Sequence, residues 1–446
     1  MAFDYDTIVI GGGPGGLATA YALNNKQHVL VVEGNLWGGT CPNFGCDPKK
    51  MLYGVVEAKR QGLRYRDSGL KTTAQIDWPK LMAFKKTYTD KVPTGTAAGL
   101  ESAGIDHLSE TAHFMDAHTL LVGTKTVTGN KIVIATGATP TIPDITGSEL
   151  YQTSTDFLSL PKLPNKIGFV GGGYVAIELA NIAVEAGAEV YVFQHNDRLL
   201  RGFPENETQR LRHILAEKGI HFHMNTTVTA LQQTETGQVR VATDGDASFT
   251  LDAIFAAAGR RPNIDQLDLS KAGVKAEKGG ILVDEHLKTT ADNIYAIGDV
   301  IAKQAPKLTP VSGIEGRYVA STLLAETVEP IHYAPIPHTV FAGPELAQVG
   351  VTLTQAEQSP ERYTVRHQAV GNWYTYHRLQ DQDAQVTTIQ DKQSGLLVGA
   401  VVLAINAEEL INDLTQLITA KTPADEIKNW VPIYPSVASD LGYFYY

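Results

Sequence analysis

Twice in this chain a short apolar run breaks into a glycine cluster and gives way to a helical pattern, which leaves few folds open. The first copy is "YDTIVIGGGPGGLATAYALNNKQHVLVVE", Tyr5 to Glu33. Thr7 to Ile10 is the apolar run, and Gly11, Gly13 and Gly16 spell GxGxxG. Leu17 to Leu23 has helical spacing, and His28 to Val32 is a second apolar run closed by Glu33. A lone GxGxxG says little. After a strand, opening a helix and followed by an acid about twenty residues on, it is the βαβ dinucleotide fingerprint. The glycines let the backbone approach a pyrophosphate at the positive end of a helix, and Glu33 would accept hydrogen bonds from a ribose.

The second copy, "KIGFVGGGYVAIELANIAVEAGAEVYVFQ", runs from Lys166 to Gln194 with Gly171, Gly173 and Ala176 at the matching places. Two such units suggest two dinucleotides, a tightly held flavin and an exchangeable nicotinamide. Between and after them, "KIVIATGATP" (Lys131 to Pro140), "AAAGRRPN" (Ala256 to Asn263) and "TTADNIYAIGDV" (Thr289 to Val300) are each a short strand meeting a glycine turn. The last brings Asp299 to the end of its apolar run. Two proline-rich stretches, "LPKLPNK" and "HYAPIPHT", punctuate the chain. Beyond the second, the strand-like "LLVGAVVLAI" and the helix-like "AEELINDLTQLITA" read as a separate α+β unit.

The 446 residues suffice for two or three domains. The net charge of -11, with no basic arm or stripe, argues against a nucleic-acid partner. No apolar run is long enough to span a bilayer. The first residues enter a strand-like segment with no signal sequence, so the chain is expected in the cytoplasm. There, close cysteines read as catalytic or metal-binding rather than structural. The chain has two, Cys41 and Cys46, in "GGTCPNFGCDPKK". Pro48 suits the first turn of a helix, and "KKMLYGVVEAKR" continues at helical spacing. Cys46 would then lie near a helix N-terminus with Lys49 and Lys50 close by, both of which lower a thiol pKa. Two thiolates with no neighbouring His or Cys make a poor zinc site, which needs four ligands.

The order of these motifs resembles the flavin-dependent pyridine nucleotide–disulfide oxidoreductases, the group of glutathione reductase, dihydrolipoamide dehydrogenase and mercuric reductase. "GGTCPNFGCDPKK" is similar to the family's GGTCxNxGCxPSK. "ATGATP", "GGGYVAIELA", "GRRPN", "IYAIGDV", "KLTPV" and "FAGPELAQVG" extend the likeness nearly end to end. The resemblance implies an α/β fold with two Rossmann-like dinucleotide-binding domains and a C-terminal α+β dimerisation domain. On this basis residues 1–145 and 262–330 form a discontinuous FAD domain, 146–261 the NAD(P) domain and 331–446 the dimerisation domain. It makes Cys41 and Cys46 a redox disulfide, with Cys46 the thiolate facing the flavin and Cys41 the thiol that attacks substrate. Lys50 matches the lysine beside the reactive flavin nitrogen, and Glu178 the glutamate that pairs with it. Gly11, Gly13, Gly16, Glu33, Thr40, Thr136, Gly137 and Asp299 take FAD positions. Gly171, Gly173, Tyr174, Ala176, His195, Arg198, Arg201 and Gly259 take NADP positions, with Tyr174 matching an aromatic lid. No metal is implied.

Gln194 stands where an NAD enzyme usually places a carboxylate on the ribose hydroxyls, so nothing there repels a 2′-phosphate. His195, Arg198 and Arg201 follow and suit one, and Ala176 gives the GxGxxA form. The expected donor is NADPH. His195 replaces one expected arginine, which leaves NADH a second donor.

The C-terminus departs from the family. In place of HxHPTxSE the chain reads "VPIYPSVASD", Val431 to Asp440. Tyr434 occupies the place of the histidine that acts as acid–base catalyst in the partner subunit's site. Ser439 stands at the glutamate's offset, with Asp440 one residue later. A phenol with a pKa near about 10 donates a proton but is a poor base at neutral pH. His338 and His377 match no catalytic position. The expected activity is NADPH-dependent reduction of a small disulfide by a homodimer with a shared site, as in glutathione reductase. Reduction of a metal ion or another small oxidant such as a hypohalous species, dihydrolipoamide oxidation, and flavin binding without catalysis are the alternatives.

Overall fold

The computed structural model describes residues 3–71, 74–245, 247–325 and 329–445. Strands Tyr5–Ile10 and Val29–Val32 are almost wholly apolar, as strands covered on both faces must be. They lie parallel in a seven-stranded sheet. Strand Lys125–Ile134 flanks Tyr5–Ile10 on the other side, and Ile294–Ala296 pairs with it in turn. Gly11 ends the first strand at φ +117°, where an added Cβ would stand 2.3 Å from the Ala135 carbonyl oxygen. Helix Pro14–Leu23 follows and packs on helix Thr309–Leu323. The two come close because a Cβ on Gly316 would lie 2.4 Å from the Gly15 oxygen, and Thr19 Oγ1 donates to the carbonyls of both Gly15 and Gly316.

The second unit repeats the device. Strands Lys166–Val170, Glu189–Gln194, Ile220–Met224 and Ala253–Ala256 form a four-stranded parallel sheet. Gly171 turns at φ +123°, its absent Cβ 2.3 Å from the Ala257 oxygen, and helix Tyr174–Glu185 begins three residues on. Toward the C-terminus, five antiparallel strands run in the order His338–Val340, Glu345–Gly350, Leu397–Ala404, Gln385–Asp391, Tyr363–Ala369. Helix Ala407–Ala420 covers them with Leu410, Ile411, Leu414, Leu417 and Ile418, one apolar stripe at helical spacing. The architecture is thus the α/β class expected, with an α+β C-terminal part. Among the described residues no helix is long and apolar enough to cross a membrane.

The third position of each fingerprint, Gly16 and Ala176, is set by packing rather than by facing the cleft. A Cβ on Gly16 would lie 1.9 Å from the Gly11 carbonyl oxygen, whereas Gly173 has open space around it. Gly16→Ala is therefore expected to force the helix off the strand at a cost of about 1–3 kcal/mol, and Gly173→Ala to change stability by less than about 0.5 kcal/mol. Thermal unfolding of the two variants, side by side with wild type, checks this.

Candidate active site

Helix Cys46–Arg64 begins where the sequence places it. Pro48 and Asp47 occupy its first turn, Arg64 its last, and Leu52, Tyr53 and Val56 form its buried face. A short helix, Thr40–Phe44, precedes it and carries Cys41. Both thiols are free and open onto a cleft of about 1710 Å³. The cleft runs between the two glycine turns. Gly11, Gly13, Glu33, Thr40, Thr136, Gly137 and Asp299 line it on one side, and Gly171, Gly173, Tyr174, His195, Arg198, Arg201 and Gly259 on the other. Gly16 and Ala176 do not line it; Ala176 is fully buried behind its turn.

The thiols are electrostatically unequal. Cys46 is pushed down to about 6, first by a hydrogen bond from Cys41 and then by the Thr309 hydroxyl and the Lys49 charge, against burial. Its sulfur lies 3.7 Å from Thr309 Oγ1. Cys41 is pushed far up by the same hydrogen bond, by burial, and by the nearby charges of Cys46 and Asp47.

The lysine beside this pair differs from the one expected. Lys49 Nζ, not that of Lys50, meets Glu178, at 3.1 Å from Oε2, with both side chains almost covered. Glu178 Oε1 accepts the Phe341 N–H at 2.9 Å. Lys50 turns to Glu408 Oε1 at 2.9 Å and to Glu345 Oε1 at 3.8 Å. The reason is helical geometry. Positions i+3 and i+4 from Cys46 flank its direction on opposite sides, so one lysine meets helix Tyr174–Glu185 and the other helix Ala407–Ala420. The two ammonium groups sit over the Phe341 ring, 3.8 and 4.0 Å from its centroid. Burial pushes the Glu345 carboxyl up to about 8.

In the first turn, Glu33 Oε2 accepts Gly12 N–H at 2.8 Å and Oε1 accepts Asn35 N–H at 2.7 Å; burial nevertheless raises its pKa. In the second, Gln194 Nε2 donates to Asn196 Oδ1 and to the Arg198 carbonyl. The Arg198 guanidinium donates to the Phe203 carbonyl at 3.0 Å, while Arg201 remains on the cleft wall. Tyr174 packs edge-on to Phe203 and near His338. Tyr434 is not in this cleft; it is 73% exposed, beside Val431 at 97% and Ile433 at 85%.

The pyridine nucleotide–disulphide oxidoreductase model matches residues 5–316, and that family's dimerisation-domain model matches 336–443. The chain belongs to this family. It is 31% identical to dihydrolipoyl dehydrogenase of Bacillus subtilis over 97% of this chain and 94% of the other. It is 30% identical to glutathione reductase of Burkholderia cepacia over 98% of each chain. Among solved structures it is similar to a Cu(II) complex of the HOCl-induced flavoprotein disulfide reductase RclA from Escherichia coli, with TM-score 0.88, 28% identity and 98% of each chain covered.

Pyridine nucleotide–disulphide oxidoreductases are FAD-dependent and use NAD(P)H. The residues fit both groups. Helices Pro14–Leu23 and Tyr174–Glu185 begin at the cleft with no side-chain cap, leaving their first N–H groups for phosphates. Sequence reasoning did not single out Thr309, Phe341 or Glu408. "KLTPV" and "FAGPELAQVG" carried signals for Thr309 and Phe341, each standing in a stretch that resembles the family; Glu408 carried none.

Lys49→Met is expected to slow flavin reduction by NADPH by about 10²-fold, the scale for a lost charge at a site where charge develops, and Lys50→Met by at least tenfold less. Anaerobic stopped-flow reduction distinguishes them. In the two-electron-reduced protein, the long-wavelength thiolate-to-flavin absorbance should fade as pH falls through about 6, where Cys46 takes up its proton. Cys46→Ser should abolish this band and Cys41→Ser retain it; the reverse would exchange the two roles.

Proposed function

We propose that this chain is a homodimeric, NADPH-preferring reductase of the cytoplasm that delivers electrons through Cys41 and Cys46 to a small disulfide, glutathione disulfide being the nearest named substrate. The observation that carries this is the unequal thiol pair beside the Lys49–Glu178 ion pair, on a cleft reached by both glycine turns. When bound, the flavin supplies the relay of two electrons from nicotinamide to the disulfide. The protein's share is to hold Cys46 as a thiolate and Cys41 as a thiol, and to keep a fixed positive charge at Lys49. Gln194, His195 and Arg201 around the second turn support NADPH, since Gln194 puts an uncharged amide where an NAD enzyme usually places a carboxylate. The exposed apolar segment at Val431 to Tyr434 supports a dimer in which the phenol serves the partner's site.

A second reading has its own support. Tyr434 in the histidine's place and the likeness to a Cu(II)-bound, HOCl-induced reductase favour a metal ion or another small oxidant as acceptor. Gln194 and Tyr434 argue against dihydrolipoamide oxidation, and the thiol asymmetry against a flavin carrier without catalysis. The deciding experiment is anaerobic steady-state NADPH oxidation with glutathione disulfide as sole acceptor. Turnover supports the first reading. Flavin reduction without turnover overturns that acceptor and turns the search to metal ions and oxidants. With the working acceptor, Arg201→Ala should raise KM for NADPH by at least tenfold more than for NADH; equal effects would remove the case for NADPH.

A further inference from the structure

Cys41 has a carboxylate of its own subunit at hand. Its sulfur lies 3.8 Å from Asp47 Oδ1, and the Tyr88 hydroxyl donates to Asp47 Oδ2 at 2.7 Å. Asp47 lies in the first turn of helix Cys46–Arg64, where a negative charge is favoured, and Tyr88 comes from helix Trp78–Thr89. One carboxylate oxygen thus points at the sulfur and the other is fixed by a phenol. A bare negative charge beside a nucleophilic thiol only opposes its ionisation, and both Cys41 and Tyr88 are raised by Asp47. The placement is productive if the carboxylate takes the thiol's proton.

We propose that Asp47 is the acid–base group for Cys41 within one subunit, with Tyr88 as its positioning residue; this rests on the disulfide-reductase reading above. In the attack, the Cys41 S–H bond breaks, its proton passes to Asp47, and the sulfur's electron pair bonds to one sulfur of the substrate RSSR. The substrate S–S bond breaks and the departing RS⁻ takes the proton from Asp47, leaving as RSH. The Cys46 thiolate then attacks Cys41 Sγ, closing the Cys41–Cys46 disulfide and expelling the second RS⁻, which solvent protonates. The dithiol loses two electrons and one disulfide becomes two thiols. The titratable groups facing Asp47 are Cys41, Cys46 and Tyr88; Lys49 and Arg260 act on Cys46 from farther along the cleft.

Two measurements on Asp47→Asn separate this role from simple charge repulsion. In a Cys46→Ser background, iodoacetamide alkylation of Cys41 at neutral pH should become about tenfold faster, because a negative charge beside the thiol is gone. In the otherwise wild-type holoenzyme, kcat/KM for the disulfide should nevertheless fall about 10²-fold. Tyr88→Phe should lower kcat by about tenfold with little change in KM, and Asp47→Glu should restore part of the loss. Unchanged alkylation overturns the contact. Faster alkylation with unchanged or faster turnover overturns the acid–base role and leaves the reductase reading standing. If the wild-type protein is reduced by NADPH yet turns over no disulfide, the reading fails and this proposal with it.

Discussion

The ion pair between Lys49 and Glu178 joins the parts on which the site depends. It ties the N-terminus of the thiol-bearing helix to the helix of the second nucleotide unit, and Glu178 also accepts the Phe341 N–H just beyond strand His338–Val340. Both side chains are nearly covered, at 12% and 11% exposure. Removing one partner of such a pair leaves a buried charge, at a cost of about 3–5 kcal/mol. Yet an apolar pair of similar volume holds elements together as well or better. Cohesion therefore does not account for charges here. What they add is a fixed positive charge on the cleft wall, close enough to lower Cys46.

The inequality of the thiols follows from placement alone. The hydrogen bond between the two sulfurs counts most, lowering Cys46 and raising Cys41; burial, the Thr309 hydroxyl and Asp47 act on both thiols in the same sense, and Lys49 lowers Cys46. Thr309 is the first residue of helix Thr309–Leu323, whose position is set by the close crossing with helix Pro14–Leu23 at Gly15 and Gly316. A packing requirement far from the sulfurs thus sets where the Thr309 hydroxyl meets them.

How much of this was legible in the sequence depends on the range of the interaction. The turns at Gly11 and Gly171 were, because the demand for glycine arises within a few residues and one neighbouring strand. The start of the helix at Cys46 was, because Pro48 and the spacing of Leu52, Tyr53 and Val56 are local signals. Choosing Lys50 over Lys49 failed because both flank Cys46 on one helical turn, and only the packed helices assign them. The contacts of Thr309 with Cys46, 263 positions away, and of Phe341 with Glu178, 163 away, were beyond reach for the same reason. Asp47 was in plain view beside Cys46, but its meaning required Tyr88, brought in by another helix 41 positions on.

The departure at the C-terminus is best understood as a relocation of proton traffic. A histidine takes a proton from the attacking thiol and returns one to the leaving group, because its pKa lies near neutrality. A phenol near about 10 can only return one. Putting Tyr434 in the histidine's place therefore removes the base and leaves the donor. On the reading proposed here, Asp47 takes over both halves from within the subunit, accepting the Cys41 proton and returning it to the leaving thiolate, already in contact with Cys41 before any substrate arrives. The attack then depends on the tertiary fold, while the phenol stands on an exposed segment outside the cleft. On that reading thiol activation no longer waits on dimer formation, as it does where one histidine serves both steps.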